Sequence, residues 1–225
     1  AVESGDNILV LDVEVTGSSA DGIDMKATRV AIFNAFVHHV GRNGIKLWSG
    51  GDIINSVVSH TGADASLSLG TGDYRIIHSV VAYHNWRGSS SYSAVVAYQD
   101  PTPSSVELIN SIFYRNSGGL YFGPKTRLRV AGCLFTEIEN GNLLSAVAGG
   151  KRVDLTLGDL GRLEKLGLGE GNLPTDTNPR FRRPDKADFR PRKGSPLVDA
   201  GVVTEDATSF DLAWRDRVVG RPDVG

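Results

Sequence analysis

The sequence predicts an all-β solenoid, a right-handed parallel coil of short strands with about six coils over residues 1–152, closed by a capping and wrapping segment, 153–225, of the same domain. Three observations carry this. Six apolar segments carry a landmark residue, polar in five of them, at their third position and recur at a nearly fixed interval. A second set of short apolar segments runs in parallel with the first. Glycine makes up 27 of 225 residues, well above the usual ~7%, which suits short strands broken by tight corners.

In chain order the first set begins at Val10, Ile32, Ile53, Ile76, Leu108 and Val130, with Asp12, Asn34, Asn55, His78, Asn110 and Gly132 as landmarks. Successive landmarks are 22, 21, 23, 32 and 22 residues apart. The long interval holds a polar stretch around Trp86, read as a loop thrown out of one coil. In the second set, Ile23, Ile45 and Leu67 precede their landmarks by 11, 10 and 11 residues, and Met25, Leu47 and Leu69 follow two places on. Stacked at the ~4.8 Å spacing of paired strands, these apolar residues fill an interior. A tight corner leaves backbone groups without partners. Asp12, Asn34, Asn55, His78 and Asn110 are therefore expected to form a structural ladder whose side chains bond their neighbours above and below. Leucine-rich repeats have a similar period, but their LxxLxLxxN pattern is missing.

Lys and Arg number 24 against 26 Asp and Glu, a net charge of −2. A general nucleic-acid binder carries a basic excess, so no nucleic-acid partner is expected. No stretch approaches the ~18 apolar residues of a membrane span. The single cysteine, Cys133, excludes an internal disulfide and a cysteine-based zinc site; in its apolar run it reads as a buried small hydrophobe. No basic segment followed by an apolar one, as in a signal peptide, opens the chain at Ala1.

Beyond the coils, Leu160, Leu163 and Leu166 recur at a helical interval between Asp159, a capping residue, and Gly167, a stop signal. A short helix here would cover strand edges that otherwise invite aggregation. The strands opened by Gly22-Ile-Asp and Asn43-Gly-Ile, the apolar-x-Asn-x-apolar segments and the asparagine file resemble the right-handed parallel β-helix proteins of the pectate-lyase-like superfamily, over about residues 7–152. The tail carries Asp188-Phe189, Gly194-Ser-Pro-Leu-Val-Asp-Ala-Gly201, Asp211, Arg217, Gly220-Arg221 and Asp223-Val-Gly225. It resembles the terminal segment of many bacterial secreted β-helix proteins. The resemblance implies an extracellular or cell-surface location and a polysaccharide partner bound along the first sheet.

If Ile23 and Ile45 point inward, alternation turns Asp24, Lys26, Lys46, Trp48 and Ser68 outward on that sheet, with Tyr98 and Tyr121 expected to continue the patch. A lyase acting on an acidic polysaccharide removes a proton next to a carboxylate, and needs both a base and neutralisation of that carboxylate. Lys46 and Asp24 are the candidate catalytic residues, Lys46 as base or charge clamp. Trp48, Tyr98, Tyr121 and Lys26 are the candidate substrate-binding residues, with Trp48 able to stack on a sugar face. Asp24 and Lys46 can equally form an ordinary cross-strand pair. A glycosidase would need two carboxylates ~5–9.5 Å apart, and no paired Asp-Asp is present. The family admits calcium, but its acidic ligand cluster and arginine base are not seen, so no cofactor is expected.

His39 and His60 both lie five residues after their landmarks, so they should sit one coil apart, followed by Tyr83 or His84 and then Arg115. Such imidazoles can share a metal, with His84 as a further ligand, or form a surface stack at a corner. Arg180, Arg182, Arg183, Lys186, Arg190, Arg192 and Lys193 fall within 14 residues. That run can bind an anionic polymer, neutralise the strip Glu205, Asp206 and Asp211, or be a solvated loop, and Pro179, Pro184 and Pro191 make it extended.

Two functions from different classes fit these features. One is an extracellular carbohydrate-interacting protein, with polysaccharide lyase preferred to glycoside hydrolase if it is catalytic. The other is a non-catalytic, adhesin-like scaffold. An enzyme should gather charged groups in a concavity walled by loops such as Trp86 to Tyr92, whereas a scaffold should show a flat face of mixed charge. An ice-binding solenoid would repeat Thr-x-Thr on each coil, and this one does not. No signal for an oligomeric state is legible.

Overall fold

A computed structural model describes residues 1–62, 64–85, 96–98, 104–123, 126–148, 151–204 and 221–225. Strand segments at three positions around each coil stack into three faces. Face one comprises 23–26, 45–48, 67–70, 96–98, 120–121 and 142–145. Face two comprises 6–11, 28–33, 49–54, 71–77, 105–109 and 127–131. Face three is built of Glu14–Thr16, Phe36–Val40, Val57–Thr61, Val80–Ala82, Ile112–Tyr114 and Leu134–Thr136. Pairing between coils is parallel on every face, and the six strands of face three mark about five full turns. The protein is thus the all-β parallel solenoid that the repeat predicts.

The interior follows the alternation of side chains along each strand. Ile23, Ile45 and Leu67 stand in register, then Met25, Leu47 and Leu69, and all six are buried. Each fully buried aliphatic side chain of this kind stabilises the fold by about 1.5–3 kcal/mol. Strands Ile23–Phe33, Ile45–Ile54 and Leu67–Ile77 run through faces one and two, with irregular register between Met25 and Thr28 and between Ser49 and Gly51 at the bend. Tyr74 fills the inside of that bend. Its hydroxyl accepts the Gly50 N–H at 3.0 Å and lies 2.8 and 3.1 Å from the Thr71 and Leu47 carbonyl oxygens.

The corner between faces two and three explains the landmark residues. Asp12, Asn34, Asn55, His78, Asn110 and Gly132 all have φ between 47° and 61°. Asn, Asp and Gly tolerate this left-handed conformation best. The expected ladder forms in its first part: the Asn34 amide donates to the Asp12 carboxylate, and Asn55 Nδ2 donates to Asn34 Oδ1 at 3.1 Å. Asn110 instead brackets the tail, donating to the Val202 carbonyl at 2.9 Å and accepting the Val202 N–H at 2.8 Å.

The role expected of this file inside the corner belongs to the next residue along. Ser56, Ser79 and Ser111 each donate Oγ–H to the carbonyl two residues back, at 2.8–2.9 Å. Each Oγ also accepts the N–H of the equivalent residue one coil earlier: Ala35 at 3.0 Å, Ser56 at 3.1 Å and Ser79 at 3.2 Å. Cys133 continues the file with its sulfur 3.5 Å from both the Ser111 nitrogen and the Ala131 oxygen. Asn172 ends it, accepting the Cys133 N–H at 2.9 Å. The left-handed residue points its side chain outward at the turn, so the residue after it faces the orphaned backbone groups.

The last coil is covered. Lys151–Thr156 pairs antiparallel with Asn142–Ala148 on face one, and Gly169–Glu170 pairs with Arg127–Ala131 on face two. Between these strands lies the expected helix, Leu160–Lys165, with Leu163 buried and Gly167 at φ 68° behind it. The Asp159 carboxylate accepts from the Thr156 N–H and hydroxyl, but Leu166 is 40% exposed, so the expected three-leucine face reduces mainly to Leu163. The tail then turns back. A hairpin of Phe181–Arg183 and Asp188–Pro191 lays Phe181 and Phe189, with Leu197 and Val224, over the outward residues Val57, Val80 and Ile112 of face three. Bonds within the tail hold this wrap together: Asp223 Oδ1 accepts the Asp199 N–H at 2.8 Å, and the Gly201 N–H donates to the Pro222 carbonyl at 2.7 Å. Among the described residues no helix is long and apolar enough to cross a membrane.

Candidate functional site

The outward side of face one gathers part of the predicted patch. Strand pairing places Asp24, Lys46, Ser68, Ala97, Tyr121 and Ser145 in one column. Trp48 lies two places beyond Lys46 on the same strand, and its Nε1–H donates to Asp24 Oδ1 at 2.8 Å across the coil boundary. The Lys46 ammonium lies 4.5 Å from the indole centroid and that of Lys26 5.8 Å. Lys26 also pairs with Glu3 at 2.5 Å, which raises the lysine pKa and lowers that of Glu3. Asp24, Lys26, Lys46 and Trp48 therefore form one cluster in which an indole is held edge-on by a carboxylate and overlaid by two cations.

The aromatic continuation differs from expectation. Tyr121 shares the Lys46 column, but three strand steps separate them, roughly 14 Å at the ordinary spacing. It packs beside buried Ala65, away from Trp48. Tyr98 is paired with Leu69, so it occupies the register of an inward column and not that of Lys46 and Ser68. A register assigned across the 32-residue interval is uncertain by one place, and one place exchanges the two sides of a strand. The loop from Trp86 to Tyr92, expected as a wall, lies outside the described residues, as do Glu205, Asp206 and Asp211.

The histidine column forms at the corner after face three. Gly17, His39, His60, Tyr83, Arg115 and Glu137 all have φ between 51° and 72° and occupy equivalent places on successive coils. His39 and His60 stack at 4.5 Å between centroids, and Tyr83 follows at 4.6 Å. The third ring is therefore Tyr83. His84 turns inward, its Nδ1 3.1 Å from Thr61 Oγ1, so the proposed metal trio of His39, His60 and His84 is not assembled. Among the described residues no group of three or more His, Cys, Asp or Glu is placed to hold a metal ion. His38, unremarked in the sequence, adds a polar relay. Its Nε2–H donates to Glu14 at 2.9 Å, and its Nδ1 lies 2.8 Å from His39 Nδ1.

Burial and the neighbouring imidazoles hold the His60 pKa down at about 4. Burial pushes the Tyr83 phenol up, and its hydroxyl donates to Asp185 of the tail at 2.8 Å. Arg115, hydrogen-bonded to Glu137 at 2.6 Å, also lies 3.6 Å from Asp185. This column thus joins the tail hairpin to the solenoid, a structural duty.

No family model, no curated protein and no solved structure matches this chain.

Proposed function

We propose that the chain binds an acidic polysaccharide along face one, in an extracellular or cell-surface setting, with Lys26, Lys46 and Trp48 as the contact. The supporting observation is the pair of ammonium groups over one outward indole. An exposed cation–π contact contributes only about 0.5–1 kcal/mol. A sugar ring can therefore displace Lys46 from the indole at small cost, and the released ammonium meets the sugar carboxylate. Asp24 acts here as a positioning residue, because its carboxylate holds the indole N–H. Should the bound chain be cleaved by β-elimination, Lys46 serves as base only in its neutral amine form, taking the proton next to the carboxylate and returning it to the departing glycosidic oxygen as the C–O bond breaks, while Lys26 neutralises the carboxylate. A non-catalytic scaffold is the second reading, favoured by the way Asp24 with Trp48 and Glu3 with Lys26 close upon each other.

Calorimetric titration with a polyuronate and with neutral dextran tests the proposal, with absorbance of unsaturated product followed in parallel. The expected result is saturable binding of the polyuronate alone, weakened about tenfold or more in the Lys46→Ala/Trp48→Ala double variant. Equal binding of both polymers, or an unchanged double variant, overturns it. Unsaturated product that persists in Lys46→Ala removes Lys46 as the base.

A further inference from the structure

The tail hairpin presents a second charged surface, over face three and unrelated to the patch on face one. Residues 180–193 hold seven lysines and arginines against two carboxylates, a charge of +5 within a chain of −2, so the rest of the molecule carries −7. Both carboxylates are committed. Asp185 accepts the Tyr83 hydroxyl at 2.8 Å and lies 3.6 Å from Arg115. Asp188 takes Arg190 through two bonds, at 2.7 and 2.8 Å, and lies 3.6 Å from Arg183. Among the described residues no carboxylate pairs with Arg180, Arg182 or Arg192, and all three are exposed.

Strand pairing sets the arginines in an array. Phe181 pairs with Pro191, and the Arg192 N–H donates to the Arg180 carbonyl at 2.9 Å. Arg180 therefore stands beside Arg192, and Arg182 beside Arg190. Phe181 and Phe189 are buried against the solenoid, so alternation turns Arg182, Arg190 and Arg192 to the outer side, and Arg180 is exposed with them. The four occupy two rungs about 7 Å apart along the strands, with about 5 Å between the strands. Like charges directly opposite one another weaken a strand pair, and here both rungs carry such a pair. The side chains are nonetheless held in place. Arg180 Nη1 donates to the Gly194 carbonyl at 2.8 Å, and Arg192 Nη2 donates to the Arg182 carbonyl at 2.9 Å. Each of these two guanidinium groups spends one of its five N–H bonds on that hold and keeps the others for a ligand. Tethered cations that repel one another are preorganised for a partner carrying several oxyanions in a row.

The chemistry of the array narrows that partner. With Phe181 and Phe189 buried, the hairpin turns no aromatic ring outward to stack on a nucleic-acid base or to enter a bilayer. A guanidinium is more weakly hydrated than an ammonium and meets an edge of two oxygens with paired N–H bonds. An ester sulfate offers such an edge, is itself weakly hydrated and stays ionised at every physiological pH. We propose that the outer side of the hairpin binds a sulfated polysaccharide, its sulfate groups taken by Arg180, Arg182, Arg190 and Arg192. Asp188 then serves to hold Arg190 in the array, and the basic run of the tail has a ligand-directed role beyond wrapping.

Calorimetric titration of the full chain with maltohexaose polysulfate tests this assignment, with maltohexaose and a six-nucleotide DNA strand as comparators. The sulfated sugar should bind saturably, and each comparator about tenfold or more weaker. The exposed double variant Arg182→Gln/Arg192→Gln should lose about tenfold for the sulfated sugar, with its thermal midpoint within about 1 °C of the parent's. Arg182→Lys/Arg192→Lys keeps the charge without the paired N–H edge, and should still lose about threefold or more. Lys46→Ala/Trp48→Ala should bind the sulfated sugar as the parent does, so that failure on face one and failure here are read separately. No binding of the sulfated sugar overturns the proposal, as does a glutamine variant of unaltered affinity. Equal binding of the DNA strand, or a lysine variant equal to the parent, would reduce the surface to one of bulk charge and overturn it. A loss confined to Lys46→Ala/Trp48→Ala would move the sulfates to face one, with the same consequence.

Discussion

Replacing Ser79 with alanine removes one rung of the inner hydroxyl file and leaves everything around it in place. Ser79 is 1% exposed; its Oγ accepts the Ser56 N–H at 3.1 Å and donates to the Ile77 carbonyl at 2.9 Å. With a methyl there, the Ser56 N–H faces the interior without an acceptor, and a buried donor left in that condition costs about 1–3 kcal/mol. Taking about 2 kcal/mol, and a change of about 2–4 °C per kcal/mol for a domain of this size, the thermal midpoint should fall by about 4–8 °C. Ser79→Cys should recover part of the loss, because Cys133 already serves the same two groups in the last described rung. Thr71→Ala supplies the control: that hydroxyl reaches the Trp48 carbonyl at 3.1 Å from an exposed position, so its removal should stay within about 0.5 kcal/mol. Thermal and urea unfolding followed by circular dichroism reads all three. A Ser79→Ala midpoint within about 1 °C of the parent, at equal urea dependence, would refute the reasoning that this file satisfies the corner.

Three other outcomes follow from the same geometry. His60 is held near 4 in the fold, by burial first and then by His39 and His38, against an ordinary 6.5. The unfolded chain therefore binds the extra proton first, and stability should fall as pH drops from about 6.5 towards 4, by up to ~1.4 kcal/mol per pH unit from this group. Urea titrations across that window should show a shallower slope in His60→Phe. Burial pushes the Cys133 thiol up to about 12, so a thiol reagent should label it only after unfolding, and labelling at the rate of a free thiol in native buffer would contradict its place in the file. Gly72 has φ 104°, and a Cβ there would stand 2.8 Å from the Gly50 nitrogen. Gly72→Ala should cost about 3 kcal/mol from backbone strain and overlap combined. Gly17→Ala, at φ 72° with open space around it, should cost about 1–2 kcal/mol by urea unfolding.

How far the sequence speaks depends on the range of the interaction. The coil repeat was legible because Ile23, Ile45 and Leu67 answer to one local rule, alternation, applied again one turn later. The corner was legible because a left-handed backbone restricts the residue type, and that restriction leaves Asn34, Asn55 and Asn110 in plain view. The hydroxyl file was legible too, as Asn55-Ser56, His78-Ser79, Asn110-Ser111 and Gly132-Cys133, but the more conspicuous amides drew the assignment one residue too early. The neighbourhood of Asp24, Lys46 and Trp48 on two adjacent coils was legible because the repeat alone locates them. Tyr98 lies inside the long interval, where the repeat no longer fixes the register, whereas Tyr121, beyond it, keeps the Lys46 column but three strand steps away. The packing of the tail over face three had no local signature, since Phe36 and Phe181 are brought into one apolar cluster by a tail folding back over more than a hundred residues.

The anchoring of the tail also decides how the molecule would carry a load. The Gly225 N–H donates to the Asn110 carbonyl at 2.7 Å, and the Asn110 side chain grips Val202 from both sides. Tension applied at Gly225 therefore enters the stack at the Asn110 corner, one coil in from the covered end, and bypasses the Leu160–Lys165 helix and its neighbouring strands. Peeling from that side has to break the wrap before it can reach the last coil. Asp6–Leu11 and Glu14–Thr16, by contrast, each pair with a single described strand.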